Sequence, residues 1–460
     1  MEVITSQRGR EHWVHEGYRY RRDRVMADGS TSWRCVRRDC VGRRKRLVDG
    51  SSVEITAHVH ALNNARIEAD RMMGDIRERA VATVERPRQI IHGTTAGTSL
   101  EAATLLPAYT SMQRTVNRKR NAGHLAMGNP RCIRDIQIPE PLQRSTRGEQ
   151  LLLWDSGEND ERRIFIFTTE SNLEVLEQHG HWFMDGTFKV APHLFVQVFT
   201  IHAFVDNRAL PMVYVLLNSK REEDYERVLR KLLETRNTLA PLTILMDFER
   251  ASLQAARTVF PNATVSGCMF HLGQSLWRRI QHEGLTASYR DEERVRMFTK
   301  MLLALSFVPV DDVAECFQTL EESRPDELTL VYDYWEDNYI GRLRPNGRRV
   351  PPFPIPLWNM RSRVEDGLPR TNNSVEGWHH AFQSSVACHH PTIFKLLEHI
   401  QREQDHTEQL LARFQAGNRA PPSSKSTYVR VTQRLTTLLP TYGQRPLFQY
   451  LRGIAHNLEL

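Results

Sequence analysis

The stretch WFMDGTFKVAPHLFVQVFTIHAFVDNRALPMVYVLL, residues 182–217, carries the clearest signal for the fold. It contains three runs that are dense in β-branched and aromatic residues: WFMDGTF (182–188), LFVQVFTIHAFV (194–205) and PMVYVLL (211–217). Such runs predict strands, and the turn Asp206-Asn207-Arg208 separates the last two. Because the links between successive strands are short, we expect the strands to be antiparallel neighbours.

Strand and helix patterns alternate outward from this stretch. IFIF (164–167) is a further strand candidate on the N-terminal side. On the C-terminal side the pattern predicts a helix at 222–235, a strand at 243–247, a helix at 248–260 and a last strand at 263–270. The order β-β-β-α-β-α-β is that of the ribonuclease-H-like fold, a mixed sheet flanked by helices. We therefore predict an α/β ribonuclease-H-like core.

The chain is too long for one hydrophobic core, since a single core rarely exceeds about 300 residues. Helical patterns at 63–127, which we expect to break at Pro87 and Gly93, precede the core. The predicted segments are 1–62, a small β-rich domain; 63–130, a helical region; 131–160, a linker or arm; 161–270, the first part of the core; 271–365, an all-α insertion; 366–405, the last part of the core; and 406–460, a helical C-terminal tail with a polar break at 420–424.

Net charge, the lengths of apolar runs and the spacing of cysteines indicate which classes of protein the chain resembles. A formal net charge of +7 fits a polyanionic partner. The sequence has no run of about 20 apolar residues, so we expect no membrane span, and its first residues predict no signal peptide. Of the six cysteines, only Cys35 and Cys40 are close in sequence, and histidines follow them. This spacing indicates metal binding in a reducing compartment rather than a disulfide scaffold.

Cys35, Cys40, His58 and His60 are candidate zinc ligands, since zinc takes four Cys or His ligands in a tetrahedron. We expect Cys35 and Cys40 at the two arms of a tight β-turn, and both histidines on one face of an extended strand. A region this short has little core of its own, so a metal would stabilise it. The alternative is two buried cysteines and two surface histidines.

The stretch YRYRRDRVMADGSTSWRCVRRDC (18–40), followed by HVH (58–60), resembles the FLYWCH-type zinc finger across residues 5–62. The resemblance implies a structural zinc ion and a module that contacts nucleic acid or protein. The nearby basic run then supplies candidate phosphate contacts; it is otherwise a solvated loop or part of a nuclear localisation signal. These candidates are Arg43, Arg44, Lys45 and Arg46, with a second basic run at Arg118, Lys119 and Arg120.

Three acidic residues occupy unusual settings. Asp185 lies inside an otherwise apolar strand, Asp247 ends the strand TILM, and Glu376 lies on a helix after the predicted insertion. A carboxylate in a core strand is costly unless it is paired or binds a metal. Taken one at a time, the three residues could be a turn at Asp185-Gly186, a helix N-cap at Asp247 and a solvent-facing Glu376.

The segments HWFMDGTFKVAP, ILMDFERA, GCMFHLGQSLW and RTNNSVEGWHHAF resemble the Mutator-like (MULE) transposase domain, from about residue 155 to 399. The resemblance implies that Asp185, Asp247 and Glu376 form an Asp-Asp-Glu triad holding two Mg²⁺ or Mn²⁺ ions. Cys268 and His271 match the family's Cys-x-x-His motif, which we expect to shape the site's edge or to touch DNA. Cys268 and His271 supply only two ligands, which are too few for a structural zinc ion, so we do not predict a metal site there.

The helix predicted at 374–386 has two faces. Val375, Trp378 and Phe382 belong to an apolar stripe, so Trp378 is expected in the core rather than as a wedge in DNA. Glu376 and His380 lie on the polar face. His380 could contact a scissile phosphate or could be an ordinary polar-face residue.

These features together predict a nuclear DNA transposase that binds terminal inverted repeats and target DNA as a homodimer or larger assembly, without membrane contact. By analogy with transposases of this fold, residues 63–130 are predicted to be a helical DNA-binding or dimerisation region. The transposase would cut the DNA and join the freed 3′ ends. The alternative is a domesticated transposase that binds DNA as a regulator without catalysis. A ribonuclease or repair nuclease of the same fold is a more distant alternative, because neither is expected to carry the finger.

Overall fold

The computed structural model describes residues 2–5, 11–83, 85, 87–125, 130–418 and 426–460, without the side chains of 2, 5, 120–125, 426 and 427. The chain packs as two compact units, Met1–Asn129 and Pro130–Leu460, and each is described by itself. Among the described residues, no helix has the length and apolar character needed to cross a membrane.

The first unit opens with a β-sheet in which each strand pairs with the next along the chain. All the described pairings are antiparallel. A small aromatic core of Trp13, Tyr20 and Trp33 stabilises one side of the sheet. The strands are β1 (Glu2–Thr5), β2 (Glu11–His15), β3 (Tyr18–Val25), β4 (Thr31–Cys35), β5 (Arg43–Arg46) and β6 (Ser52–Thr56).

A helical region follows the sheet in the first unit. Its helices are α1 (Asn64–Ala82), α2 (Pro87–Thr95), α3 (Leu100–Leu105) and α4 (Tyr109–Leu125). Pro87 begins α2, where a proline is tolerated because the first N–H of a helix has no intrahelical partner. Gly93 lies inside α2, so the expected break at this residue is wrong.

The described part of the second unit is built on a seven-stranded sheet in the order β13-β12-β9-β10-β11-β8-β7, with a separate pair, β14 and β15. The strands are β7 (Leu152–Asp155), β8 (Phe165–Phe167), β9 (His181–Thr187), β10 (Gln197–Val205), β11 (Arg208–Leu217), β12 (Thr243–Met246), β13 (Thr264–Gly267), β14 (Leu343–Arg344) and β15 (Gly347–Arg348).

Helices cover both faces of this sheet and form a separate helical body. They are α5 (Glu170–Gln178), α6 (Glu222–Thr235), α7 (Arg250–Val259), α8 (Met269–His282), α9 (Thr286–Asp291), α10 (Glu293–Ala304), α11 (Val313–Ser323), α12 (Thr329–Trp335), α13 (Ile355–Trp358), α14 (Arg361–Glu365), α15 (Asn373–Val386), α16 (Ile393–Gln415), α17 (Ser426–Leu438) and α18 (Leu447–Ala455).

The sheet has the mixed directions that the sequence predicts. β9, β10 and β11 are antiparallel neighbours. β12 runs parallel to β9, and β13 runs parallel to β12. The last strand is shorter than expected, because β13 ends at Gly267 and α8 starts at Met269. β7 lies within 131–160, so part of the segment interpreted as a linker extends the sheet.

The alternation of side chains along β9 and β12 separates the two faces of the sheet. Met184 of β9 and Met246 of β12 belong to the core on one face. Phe183 and Leu245 lie on the other face, where they form a cluster with Val375 of α15. This second face is where α15 packs, and it is the face that Asp185 shares with Phe183.

The helical body has its own buried core, which contains side chains from α8, α10, α11 and α12. The C-terminal helices α17 and α18 contribute Leu435, Leu451 and Ile454 to this core, so they are part of the body rather than a free tail. The expected all-α composition is wrong in one respect, because β14 and β15 pair as a short antiparallel hairpin. The predicted polar break at 420–424 lies outside the described residues.

Candidate functional site

The first candidate site is the group of Cys35, Cys40, His58 and His60, whose ligand atoms all lie within 4.8 Å of one another. Cys35 Sγ is 3.3 Å from His60 Nε2, and Cys40 Sγ is 3.3 Å from His58 Nδ1. In a tetrahedral zinc site, sulfur and nitrogen ligands stand about 3.5 Å apart. The four side chains therefore fit a zinc ion.

Hydrogen bonds on the far side of each imidazole orient these ligands. With His58 Nδ1 facing Cys40, its Nε2–H donates to the Tyr20 hydroxyl at 2.7 Å. With His60 Nε2 facing Cys35, its Nδ1–H donates to the carbonyl oxygen of Ala61 at 2.9 Å. Such outer partners fix the tautomer and ring orientation of a zinc-binding histidine.

The local chain path differs from the expectation at the histidines. Cys35 ends β4, and Cys40 lies in the loop that follows. This placement is similar to the predicted one, in which the two cysteines lie on the two arms of a tight β-turn. His58 and His60 lie beyond β6 in irregular backbone, so their expected placement on a strand is wrong. The imidazole of His58 packs against Gly42, where an added Cβ would stand 2.6 Å from Nδ1. A side chain at residue 42 would displace this ligand.

The basic run of the finger forms β5, and its four side chains differ in environment. Arg44 is 8% exposed, and its guanidinium lies 2.7 Å from Glu16. Lys45 and Arg43 form ion pairs with acidic side chains at 2.8 and 3.4 Å, and both remain partly exposed. Arg46 is also partly exposed. Arg44 therefore serves the packing of the finger, and the other three side chains are available to a partner.

The second basic run, Arg118, Lys119 and Arg120, lies in α4. Arg118 and Lys119 are exposed, and the side chain of Arg120 lies outside the described residues. The helix contains no acidic residue, so its charge is uniformly positive.

The second candidate site is the carboxylate cluster of Asp185, Asp247 and Glu376. Met184 pairs with Met246 in the parallel register of β9 and β12. Asp185 and Asp247 each follow that pair directly, so they occupy neighbouring positions on the same face, where strands lie about 4.8 Å apart. Glu376 follows Val375, which packs on this face. The charges of Asp247 and Glu376 both act on the Asp185 carboxylate, so the three side chains lie near one another on this face of the sheet.

Asn372, immediately before α15, ties this helix to the sheet. Its Nδ2 donates to Asp185 Oδ2 at 3.0 Å, and its Oδ1 accepts from the Cys268 thiol at 3.1 Å. The side chain is completely buried. Asn372 therefore fixes the start of the Glu376 helix against both Asp185 and the end of β13.

The cluster is electrostatically unfavourable without a cation. Burial, followed by the negative charges of Asp247 and Glu376, raises the pKa of Asp185 to about 7. Burial and the nearby Glu249 carboxylate also raise the pKa of Asp247. Buried carboxylates that repel one another in this way are typical of metal-binding or catalytic positions.

Histidines border the cluster. His271 Nε2 lies 3.7 Å from Glu376, and burial lowers its pKa. His379 Nδ1 lies 3.6 Å from Asp185, and burial together with His380 lowers the pKa of His379 to about 4. These lowered pKa values favour the neutral form of both imidazoles, so burial works against a positive charge on either histidine beside the carboxylates. His380 itself is exposed.

The contacts of Cys268 and Trp378 are those of residues that support the fold. The Cys268 thiol is completely buried and donates a hydrogen bond to Asn372, and burial raises its pKa to about 12. Trp378 stacks on Phe382 with ring centroids 5.0 Å apart and hydrogen-bonds to Glu403, as expected for a core residue.

Comparison with protein families identifies the domains that contain these sites. The MULE transposase domain matches residues 181–275, and the FLYWCH zinc finger domain matches residues 3–60. The chain carries a MULE transposase domain after a FLYWCH zinc finger. A search of curated proteins found no match.

The matched part of the transposase domain contains Asp185, Asp247, Cys268 and His271, whereas Glu376 lies beyond its end. The finger's Cys₂His₂ group supports a structural zinc ion. The two domains together indicate a protein that associates with DNA. The sequence analysis did not identify Asn372 or Tyr20 as site residues. Asn372 could have been found, because it is an asparagine just before the helix that carries Glu376.

Proposed function

We propose that the chain is a DNA transposase of the Mutator-like class, which cuts DNA at terminal inverted repeats and joins the freed 3′ ends to target DNA. The observation that carries the proposal is that Asp185, Asp247 and Glu376 lie near one another on one face of the sheet, with Asn372 holding Asp185 against the start of the Glu376 helix. We propose that these three residues are the Asp-Asp-Glu triad.

The strand order supports a ribonuclease-H-like core. Three antiparallel strands, β9 to β11, are followed by β12 and β13, which pair in parallel on the other side of β9. This is the arrangement inferred for the core from the order of its elements. Most of the helical body, α8 to α14, lies in the chain between β13 and α15, the helix that carries Glu376, and α17 and α18 add to it from beyond α16.

The donor set fits divalent cations. Mg²⁺ and Mn²⁺ take oxygen ligands, which all three residues supply. Among the described residues, the finger's four side chains are the only group of three or more His, Cys, Asp or Glu gathered closely enough to hold one ion, so the three carboxylates form a more open cluster. An open cluster suits two ions about 3.5–4 Å apart better than a single ion held by all three side chains.

The chemistry would be phosphoryl transfer at a phosphodiester. When bound, the ions activate the attacking hydroxyl group and stabilise the leaving oxygen. Asp185, Asp247 and Glu376 would hold the ions, and Asn372 would keep Asp185 oriented. His271, which lies 3.7 Å from Glu376, and the exposed His380 would contact the phosphate of the bound DNA. The protein's contribution is positioning and electrostatics, as in other phosphoryl transfers.

The remaining parts of the proposal concern partners and location. The finger would contact DNA phosphates through Arg43, Lys45 and Arg46. The assembly would be a homodimer or larger, because two element ends must be brought together. The site of action would be the nucleus. The structure divides into two compact units, and the seven segments predicted from the sequence remain a proposal for a finer division.

A cleavage and joining assay tests the proposal. The full chain is incubated with DNA that carries the inverted repeats flanking its coding sequence, with Mg²⁺ or with Mn²⁺. We expect nicked or cut repeat ends and joined products, both lost in control reactions without a divalent cation. Specific repeat binding without cleavage under either metal would favour the domesticated, DNA-binding alternative.

Replacing Arg43, Lys45 and Arg46 together by Ala should weaken DNA binding and reduce its salt dependence. Removal of one phosphate contact should lower the log–log slope by up to about 0.9. Arg44 is left unchanged, because it is buried against Glu16. The matched control replaces three exposed arginines of the second unit, Arg290, Arg402 and Arg413, by Ala. Equal salt slopes for the two triple variants would contradict the phosphate contacts.

Asn372→Ala should reduce cleavage by about 10–100-fold and raise the metal concentration needed for half-maximal cleavage. Residues that orient metal ligands commonly have effects of this size. Asn373→Ala is the control, because the neighbouring Asn373 side chain is exposed. If the half-maximal metal concentration of Asn372→Ala equals that of the wild type, Asn372 does not position the metal site.

A further inference from the structure

The helices α3 and α4 of the first unit are joined by a turn of three residues, Leu106, Pro107 and Ala108. Ser99 caps the start of α3, and Glu68 of α1 accepts hydrogen bonds from both the backbone N–H and the hydroxyl of Ser99. Two helices joined by three or four residues and packed on a third are typical of a helix-turn-helix unit.

One face of α4 is buried in a compact helical core. Met112 and Val116 pack with Met73 and Ile76 of α1 and with Ile90 of α2. Leu106 of the turn packs against the same core. The orientation of α4 is therefore fixed by apolar contacts with its neighbours, as a helix that reads DNA requires.

The opposite face of α4 is polar and exposed. With about 100° of rotation per residue, Arg114 lies about 200° around the helix from the buried Met112. We name this surface the recognition face; its members, all exposed, are Thr110, Ser111, Arg114, Asn117 and Arg118. No acidic residue occurs in the sequence between Glu101 and Asp135, so α4 and the segments on either side of it carry no negative side chain.

We propose that α3 and α4 form a helix-turn-helix unit that places the recognition face in the major groove of double-stranded DNA and reads its base sequence. Arginine can bond guanine, asparagine can bond adenine, and serine or threonine can bond either. From Ser111 to Arg118 the helix rises about 10 Å, which fits a major groove about 12 Å wide. The inference takes its partner, DNA, from the proposed function but does not depend on catalysis.

The chemistry of the face favours DNA over two other partners. A second copy of this chain would bring the same positive side chains against each other, with little apolar area to bury. Double-stranded RNA has a deep, narrow major groove that a helix cannot enter. A positive face with side chains that can bond base edges is complementary to B-form DNA.

Selection of binding sites from a pool of random double-stranded DNA tests the proposal. The full chain is used without added Mg²⁺ or Mn²⁺, as wild type, Arg114→Ala and Asn117→Ala. The control is Arg402→Ala, an exposed arginine on α16. We expect each α4 variant to bind the wild-type motif about 10-fold more weakly and to lose preference at particular base pairs. The control should keep the motif and the affinity.

Three results would overturn the inference. The first is the absence of base reading by α4, seen either as a wild-type chain that selects no motif or as α4 variants that select the wild-type motif unchanged. The second is a uniform loss of affinity for all sequences, which would mean phosphate contacts alone. The third is an altered oligomeric mass in light scattering with the motif retained, which would make α4 a subunit interface. A motif that depends on α4 in a chain unable to cleave would refute the catalytic proposal but not this one.

Discussion

Asp185→Asn should remove metal-dependent DNA cleavage and leave the fold and DNA binding intact. The substitution keeps the shape of the side chain but removes the charge that would hold the cations. Losing several kcal/mol of transition-state stabilisation corresponds to a rate at least about 10³-fold lower. Gel analysis of labelled repeat DNA measures the cleavage, and a mobility-shift assay measures binding.

The stability of the variant should change little. Asp185→Asn removes one hydrogen bond when the new amide nitrogen meets the Nδ2 donor of Asn372, at a net cost of about 1 kcal/mol. The removal of repulsion from Asp247 and Glu376 offsets this loss. Loss of activity with an unchanged melting temperature would therefore report on the chemistry rather than on unfolding.

Asp206→Asn is the matched control for this substitution. Asp206 lies in the turn between β10 and β11 with φ of 47°, a conformation that asparagine adopts readily. It lies beyond the end of β10, about 17–20 Å along the strand from Thr200, the residue that pairs with Asp185. This control should cleave at the wild-type rate. Wild-type cleavage by Asp185→Asn itself would refute the triad.

Cys35→Ser should lower the zinc content from about one ion per chain to near zero and unfold the finger. The sheet of the finger has only small cores, one of Trp13, Tyr20 and Trp33 and another in which Ile4 and Val14 pack with Ile67 of α1. Structural zinc contributes about 10–16 kcal/mol in finger peptides, which cores of this size cannot replace. Elemental analysis measures the zinc, and limited proteolysis should cut the finger of the variant first.

Cys132→Ser is the control, because Cys132 is an exposed free cysteine in the second unit. It should keep the zinc and the protease resistance of the wild type. Full retention of zinc by Cys35→Ser would show that these four residues are not the ligands.

The parts of the fold that the sequence predicts well have strong local patterns. The helix expected at 222–235 has those same bounds in the structure, because its apolar positions repeat on one face. Dense β-branched runs predict β9, β10 and β11 in the same way. The face shared by Asp185 and Val375 also follows from alternation along a strand and periodicity along a helix.

Features that depend on distant contacts are not predictable in this way. β7 is short and joins the sheet only by pairing with β8. The helices α17 and α18 have amphipathic patterns, which indicate a buried face but not the body that covers it. From the sequence alone, Arg44 cannot be distinguished from the three basic residues beside it. The structure distinguishes it by its ion pair with Glu16, which is distant in the sequence.

Metal binding by the three carboxylates is the property on which the proposed catalysis rests, and it can be observed directly. Crystals of the full chain soaked in Mn²⁺ should show two anomalous peaks about 3.5–4 Å apart. Each peak should lie about 2.2 Å from oxygens of Asp185, Asp247 or Glu376. Both peaks should be lost or weakened in Asp185→Asn. Crystals without an Mn²⁺ peak at these carboxylates, or with Glu376 turned away into solvent, would contradict the proposed triad.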